Sequence, residues 1–154
     1  MGSFVRLQGR TVPEVTLLVD TSVWSLALRR DVQATEPEVA ALKDALAGSD
    51  VVVTTGLVLQ ELLQGFVGPK AKSLIVESFA ALALIQPDRE DHVAAADLRN
   101  TCRKKGVQMG TVDALIAQLC IRHQLTLLST DQDFVHAAKH CKLELWRPKS
   151  ASPG

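Results

Sequence analysis

Tyrosine is absent from this 154-residue chain, and phenylalanine and tryptophan are scarce, with four and two copies. Aromatic side chains provide the surfaces on which single-stranded nucleic acids stack, so the sequence is poorly equipped for that mode of binding. An excess of either charge is also missing, because 17 basic residues balance 17 acidic ones. Proteins that bind nucleic acid through counterion release are normally basic. Any such binding here must therefore depend on local patches or on a metal ion.

Cysteines and long apolar runs are few as well. The three cysteines cannot form an even-numbered disulfide framework, which predicts a reduced, cytoplasmic protein. No uncharged apolar stretch has the length of a membrane span, and the N-terminus lacks a secretory signal, so we expect no membrane partner. The chain length suits one domain that buries its own core.

Short apolar runs alternate with stretches of helical pattern along the sequence. Strands are predicted at residues 15–19, 51–53, 82–85, 125–128 and 143–146, and helices begin near residues 20, 35, 55, 70, 89, 111 and 131. Thr35 is the expected cap of the second helix. This order predicts an α/β fold with three α/β/α layers and a mostly parallel sheet of about five strands. We expect a single domain over residues 15–147, with flexible flanks at 1–14 and 148–154.

Four acids lie where this fold would bring them together. Asp20 directly follows the first strand and Asp131 comes just after the fourth, while Asp113 begins the helix that leads into the fourth. Glu61 lies two turns into the helix after the second strand. In an open parallel sheet, ligands bind beyond the carboxyl ends of the strands. No histidine or cysteine shares the pattern, so the predicted ligand is Mg²⁺ or Mn²⁺ rather than zinc.

Helix capping is the main alternative explanation for these acids. Each of the three aspartates is near a predicted helix N-terminus, and for any one of them alone capping is the simpler account. Glu61 is mid-helix, and its neighbours on the helical wheel place it at the border of the buried face. An unpaired carboxylate there would be costly, whereas a shared cation would remove the repulsion between the acids. Glu61 therefore favours a metal site.

Four segments, in this order, resemble the motifs of PIN-domain nucleases, and among them the VapC-like toxins of bacterial toxin–antitoxin pairs. The segments are Leu18-Val19-Asp20-Thr21-Ser22-Val23-Trp24, Gln60-Glu61-Leu62-Leu63-Gln64-Gly65, Gly110-Thr111-Val112-Asp113-Ala114-Leu115-Ile116-Ala117 and Ser129-Thr130-Asp131-Gln132-Asp133-Phe134. The segments run from Leu18 to Phe134, and the resemblance covers about residues 15–147, the predicted PIN-like domain.

The resemblance implies a four-acid site at Asp20, Glu61, Asp113 and Asp131. Asp133 is a fifth candidate, either bridged to metal by water or acting only as a charge in the first turn of its helix. The hydroxyl residues in the same motifs would support the site acids: Thr21, Ser22, Thr111 and Ser129.

The resemblance also implies an activity and partners. The expected activity is Mg²⁺- or Mn²⁺-dependent endoribonuclease cleavage that inhibits growth. The expected partners are an RNA substrate, a second copy in a homodimer, and a VapB-like antitoxin in a hetero-oligomer. Such an antitoxin would cover apolar surface near the third and fourth helices.

Phosphodiester hydrolysis needs an activated water and stabilisation of charge on the phosphoryl and leaving oxygens, which a carboxylate-held divalent ion can supply. We expect Asp20 and Asp113 to bind the metal directly. Glu61 and Asp131 would position metal-bound waters or hold a second ion.

Basic residues near an acidic pocket would offset its repulsion of RNA. The candidates follow the first helix or lie on the fifth: Arg29, Arg30, Arg99, Arg103, Lys104 and Lys105. On the fifth helix, His92, Ala96, Arg99 and Arg103 share one stripe. A solvated helix face is the other explanation for this run of charge.

Two other classes of protein share parts of this pattern. An aspartyl-phosphate hydrolase would carry a second aspartate where Ser22 stands, and a phospho-acceptor domain would have paired acids near its first strand. A protein-binding module without catalytic activity would have no need for Glu61. His136 and His140, one helical turn apart, would form part of a zinc site only if further ligands joined them.

Overall fold

A parallel sheet lies at the centre of the computed structural model, which describes residues 4–7, 10–13, 15–29, 31 and 33–149. The strands are β1 (Phe4–Leu7), β2 (Arg10–Pro13), β3 (Thr16–Val19), β4 (Val51–Thr55), β5 (Ala83–Ile85), β6 (Thr126–Leu128) and β7 (Glu144–Leu145). The helices are α1 (Thr21–Leu28), α2 (Pro37–Ala47), α3 (Gly56–Gly65), α4 (Pro69–Ala80), α5 (Arg89–Lys104), α6 (Thr111–His123) and α7 (Gln132–Ala137). This order confirms the predicted α/β fold.

The central sheet of the described residues has five strands in the order β5-β4-β3-β6-β7, and every neighbouring pair is parallel. The chain adds β4 and β5 on one side of β3 and then crosses to add β6 and β7 on the other. Because parallel crossovers are right-handed, this reversal places helices on both faces of the sheet. It also opens a crevice at the carboxyl ends of β3 and β6, where the strand order reverses.

The core is built around β3. Leu17, Leu18 and Val19 are almost wholly buried, as a strand covered on both faces requires. Trp24 of α1 packs against Phe79 of α4 with ring centroids 4.8 Å apart, in a tilted arrangement. Burial of such side chains is the largest favourable contribution to folding, at about 1.5–3 kcal/mol each. The same packing fixes the position of α1, which begins at the edge of the crevice.

Helix ends follow local chemistry, with one correction to the prediction. Thr55 caps α3, since its hydroxyl accepts hydrogen bonds from the amides of Leu57 and Val58 at 3.1 and 3.3 Å. The cap position of α2 is Glu36 rather than Thr35. Pro37 is the reason, because proline suits the first helical position and holds the residue before it in an extended conformation.

One element near the N-terminus was not predicted from the sequence. β1 and β2 form a separate antiparallel pair with Leu7 opposite Arg10, where the sequence predicted no strand. In the sequence, only Gln8 and Gly9 separate the two strands, and Gln-Gly is not one of the dipeptides that mark a two-residue hairpin turn. The bounds proposed for the domain and its flanks stay predictions, and residues 150–154 lie outside the described residues.

Two expectations from composition concerned the cysteines and membrane-spanning segments. All three cysteines are free thiols. In the part of the chain that the structure describes, no helix combines the length and apolar character needed to cross a bilayer.

Candidate functional site

The carboxyl ends of β3 and β6 bring the first and last acidic motifs together. Val19 pairs with Leu128 at the end of the ladder, and the amide of Asp20 extends it by donating to the carbonyl of Leu128 at 2.9 Å. α6 leads into β6, so its first turn, with Asp113, starts at the same edge. The sheet topology therefore explains why residues about a hundred positions apart share one crevice.

Asp20 is buried in this crevice, with 6% of its surface exposed. Its Oδ2 atom accepts hydrogen bonds from the hydroxyls of Ser22 at 2.9 Å and Ser129 at 2.8 Å. Those hydroxyls are themselves fixed, since Ser22 Oγ accepts from the amide of Thr130 and Ser129 Oγ from the amide of Asp131. The network joins the β3–α1 and β6–α7 connections and orients the Asp20 carboxylate.

Glu61 lies on α3 beside the start of α1. Its Oε1 atom accepts a hydrogen bond from the hydroxyl of Thr21 at 2.9 Å. Glu61 is exposed, however, so the sequence argument from a costly buried carboxylate was wrong. Its wheel neighbours Leu57 and Val58 do face the core, but the longer glutamate side chain reaches solvent. The reason for assigning Glu61 to the site is thus its contact with Thr21 and its charge.

Capping explains only one of the three aspartates. Asp131 caps α7, since its Oδ1 atom accepts from the amide of Asp133 at 2.9 Å. Asp20 is at the cap position of α1 but makes no capping hydrogen bond with its side chain. Asp113 is inside the first turn of α6, whose cap position is Gly110. The carboxylates of Asp20 and Asp113 are therefore not committed to capping.

Asp113 shows that the five acids share one electrostatic environment. Burial, and then the negative charges of the other acids, raise the pKa of Asp113 from 3.8 to about 6. The charges that act on it belong, in decreasing order of effect, to Asp20, Asp131, Glu61 and Asp133. Clustered carboxylates oppose one another's ionisation in this way when no cation compensates them.

The donor set fits a hard divalent cation. Carboxylate oxygens are the ligands that Mg²⁺ and Mn²⁺ prefer, and such an ion would cancel the repulsion that raises the pKa of Asp113. Among the described residues, no three acidic, histidine or cysteine side chains are already close enough to hold a metal ion.

The other residues proposed from the sequence are less closely tied to the acids. Thr111 is exposed at the start of α6, and its hydroxyl bonds to no carboxylate in the described residues. Arg29 is exposed after α1, and Arg30 lies outside the described residues. Arg99 donates from Nε to the carbonyl of Met109 at 2.9 Å, next to the turn that leads to Asp113. Arg103, Lys104 and Lys105 are exposed.

Sequence reasoning missed two glutamates on the far side of Asp131. Glu36 and Glu38 line a cavity of about 300 Å³ together with Ser129 and Asp131. One carboxylate oxygen of Glu36 is buried without a hydrogen-bond partner among the described residues. Nothing local in the sequence marks them, because α2 meets this edge only through the tertiary fold. The one available signal was their place at the predicted start of that helix.

Comparison with known proteins identifies the family. A family model for the PIN domain matches residues 17–140. The chain belongs to the PIN domain family. PIN domains are nucleases and generally use divalent metal ions. All four of the acids predicted from the sequence motifs lie within the matched span.

Solved structures share this PIN fold. FitAcB from Neisseria gonorrhoeae is 23% identical, covering 88% of this chain and 99% of that one, with a TM-score of 0.64. VapBC2 from Rickettsia felis, solved bound to a DNA fragment from its promoter, is 19% identical over 86% and 100% of the two chains, with a TM-score of 0.67.

A further PIN neighbour is VapC20 from Mycobacterium tuberculosis, described as a sarcin–ricin loop cleaving toxin. It is 22% identical over 83% of this chain and 98% of that one, with a TM-score of 0.60. At these identities, the likeness shows a shared fold.

Proposed function

We propose that this PIN domain is a Mg²⁺- or Mn²⁺-dependent endoribonuclease and the toxin of a toxin–antitoxin pair. The observation that carries the proposal is the convergence of the acids on one crevice, where the Ser129 hydroxyl donates to Asp20 and accepts from the amide of Asp131. Burial and the charges of the other acids also raise the pKa of Asp113 to about 6. Structural aspartates that only cap helices have no reason to converge in this way. A cluster of carboxylates whose mutual repulsion a cation would relieve has the chemistry of a nuclease metal site.

Asp20 and Asp113 are the residues that would hold the metal. A bound divalent ion supplies an activated water and stabilises charge on the phosphoryl group. Ser22 and Ser129 both donate to Oδ2 of Asp20 and so fix the direction of its carboxylate. The protein therefore orients the other oxygen, Oδ1, before a metal ion binds. Such orientation by hydrogen bonds from outside the ligand set is a common requirement of metal sites.

Glu61 and Asp131 would act at the rim of the same crevice. Thr21 holds the Glu61 carboxylate at one side through its hydroxyl. Asp131 uses one oxygen to cap α7, which leaves the other oxygen available to orient a water molecule. Asp133 has the smallest effect of the four acids on Asp113, so it would contribute negative charge to the site rather than contact the metal ion directly.

The proposed toxin role is supported by the PIN neighbours of known structure. They include FitAcB, VapBC2 bound to a fragment of its promoter DNA, and VapC20, a toxin that cleaves the sarcin–ricin loop. For this chain we propose an RNA substrate, a VapB-like antitoxin and a homodimer. An apolar cavity of about 520 Å³ between the end of α1 and the start of α4, lined by Phe66, Val67 and Leu74, supports an antitoxin surface there.

Cleavage of RNA by the purified protein tests the enzymatic proposal. We expect Mg²⁺ or Mn²⁺ to activate cleavage and EDTA to abolish it. Asp20→Asn and Asp113→Asn should each lower the rate by at least about 100-fold, because each removes a charged ligand that would hold the catalytic metal ion. Asp44→Asn is the matched control, since Asp44 is an exposed acid on α2 outside the crevice. Turnover by either site variant at the wild-type rate would refute the proposal.

The toxin role and the alternative chemistry need separate readouts. Induction of the wild-type protein should arrest growth, and induction of Asp113→Asn should not. Growth arrest by both proteins would show that toxicity does not depend on this site. Tight binding of beryllofluoride at Asp20 without RNA cleavage would instead favour a phospho-acceptor.

A further inference from the structure

Three cavities follow one another around the loop that joins α5 to α6. The first, of about 440 Å³, is lined by Asp133, His136 and Lys139 of the α7 region and by Gln108 of the loop. The second, of about 200 Å³, shares Gln108 and adds Arg103. A groove therefore runs across the loop from the α7 region towards α5.

The third cavity continues the groove along α5. Arg99 lines both the second cavity and the third, which has a volume of about 250 Å³. His92, Asn100 and Thr111 also line the third cavity. We call this run of three cavities the loop groove.

Both ends of the loop groove adjoin the acidic crevice. At one end is Asp133, whose amide donates to Oδ1 of Asp131 at 2.9 Å. At the other end is Thr111, two residues before Asp113 in the first turn of α6. The intervening loop also touches the site, since a side-chain carbon at Gly110 would lie 3.8 Å from a carboxylate oxygen of Asp113. A chain bound in the groove would therefore pass beside the proposed metal ligands.

The charge of the loop groove is opposite to that of the crevice. Three of the four histidines of the chain line it, together with Arg99, Arg103 and Lys139, and Asp133 is the only acid among its lining residues. In the described residues, the ion pairs found join Arg122 to Asp88 and Asp91, so the cations of the groove have no acidic partner. Surface lysines and arginines are often simply solvated, but these line three neighbouring cavities that share Gln108 and Arg99.

Arg99 holds the centre of the groove in place. Its Nε atom donates to the carbonyl of Met109, which fixes the guanidinium against the loop. Arg99 lines both the second and the third cavity, and its other guanidinium nitrogens remain available to an anion. Planar, fixed guanidinium groups are well suited to phosphate recognition.

We propose that the loop groove binds the phosphate backbone of single-stranded RNA next to the scissile bond. This inference depends on the proposed nuclease function and names where the substrate lies. Among the described residues, no phenylalanine or tryptophan lines the three cavities, so stacking of bases on large aromatic rings does not contribute. Phosphate contacts from Arg99, Arg103 and Lys139 carry the affinity, and Gln108 and Asn100 supply hydrogen bonds.

RNA binding at varied salt concentration tests the groove. The probe is a labelled 12-nucleotide single-stranded RNA, in EDTA so that it stays intact, with the full-length protein. Arg103→Gln/Lys139→Gln should weaken binding roughly 10- to 30-fold near 0.1 M salt, and should reduce the salt slope by about 1.4, because each phosphate contact on a single strand contributes about 0.7.

A matched variant controls for net charge. Lys43→Gln/Lys72→Gln removes the same charge from exposed positions on α2 and α4, outside the groove, and should leave the slope unchanged. Equal effects of the two double variants would overturn the proposal. A polyglutamate peptide that binds as well as RNA, with the same loss on mutation, would also overturn it and indicate an acidic polypeptide as the partner.

A second measurement keeps the test decisive if the groove variant fails to fold. Wild-type protein irradiated with RNA that contains 4-thiouridine should crosslink within residues 103–109 or 133–140, and crosslinks confined elsewhere would exclude the groove. The outcome is separable from the nuclease test. Groove binding without metal-dependent cleavage would refute only the proposed function, whereas cleavage without groove binding would refute only this inference.

Discussion

At the scale of single residues, hydroxyl groups are as informative as the acids. Ser129 donates to Asp20 Oδ2 and accepts from the amide of Asp131, so one side chain links two of the proposed site acids. The sequence placed Ser129 near the site, and the structure shows which atoms it joins. Proximity could be predicted from motif order, but the direction of each hydrogen bond depends on backbone geometry that no motif contains.

Substitution of Ser129 tests this link. Ser129→Ala should lower RNA cleavage about 10- to 100-fold, because the Asp20 carboxylate loses an orienting hydrogen bond, as seen when such supporting groups are removed from metal sites. Ser129→Thr keeps the hydroxyl and should restore most of the rate. Cleavage rates of both variants at saturating Mg²⁺ check the prediction. A threonine variant as impaired as the alanine variant would contradict the role of the hydroxyl.

The raised pKa of Asp113 predicts a pH effect on the metal-free protein. Burial and the neighbouring acids raise this pKa from 3.8 to about 6, so folding favours the neutral form. The stability it contributes is fully present below the ordinary pKa and is lost as the pH rises through about 6. Asp113→Asn removes that loss and should be the more stable protein above this pH, by on the order of 1–2 kcal/mol after allowance for partial exposure.

Urea unfolding in EDTA measures this difference directly. Wild type and Asp113→Asn should have similar unfolding free energies near pH 4, and the variant should gain as the pH rises to about 7.5. A wild-type protein that is the more stable of the two at the higher pH would contradict the electrostatic cluster. Saturating Mg²⁺ should reverse the order, since the ion compensates the charge.

At the scale of elements, helix placement was predictable where apolar periodicity and caps agreed. α3 and α6 begin near residues 55 and 111, as the sequence predicted, and Thr55 caps α3. The error at the cap of α2 was local, since Pro37 places it at Glu36, whereas the error at Glu61 came from a long-range contact. The wheel of α3 placed Glu61 at the buried border, but it could not show that Thr21 of α1 would hold the side chain in an exposed position.

The pair α5 and α6 is joined by an ion-pair network that sequence reasoning did not find. Asp91 is fully buried, accepts from the amide of Asp88 in a reciprocal cap and pairs with Arg122 of α6. Burial alone would raise the pKa of Asp91, but the Asp88 amide and the Arg122 guanidinium lower it overall. The loop that joins these two helices carries the loop groove, so the network stabilises the helices on either side of the proposed RNA surface.

Asp91→Asn should destabilise the fold by about 2–4 kcal/mol. The variant loses the buried negative charge that pairs with Arg122 and accepts from the amide of Asp88. Since the folded pKa is lowered, this contribution is present above the ordinary carboxylate pKa and is lost as the pH falls through the folded value. Urea unfolding at pH 7 and pH 3 should therefore show a large difference between wild type and variant at the higher pH and a smaller one at the lower. Asp97→Asn, an exposed acid on the same helix, is the control, and an equal loss in that variant would contradict the prediction.

At the scale of the whole molecule, strand order explains why so much of the site was predictable. Alternating strands and helices imply a parallel sheet, and a parallel sheet implies that residues after its strands share one edge. That reasoning located Asp20, Asp113 and Asp131 at one crevice. It could not locate Glu36, Glu38 or the loop groove, because those depend on how α2, α5 and α7 pack around the edge.

The N-terminal hairpin shows the same limit. β1 and β2 are short, and neither has the uninterrupted apolar run that marked the strands of the central sheet. Composition is a weaker guide to such an element than to a buried strand.

Anomalous diffraction from crystals that contain Mn²⁺ tests the central claim most directly. We predict a strong anomalous peak in the crevice, within ligand distance of carboxylate oxygens of Asp20 and Asp113, and no such peak in Asp113→Asn crystals. A fully occupied Mn²⁺ peak at another place would contradict the account if the crevice held no ion and its acids were turned away from one another.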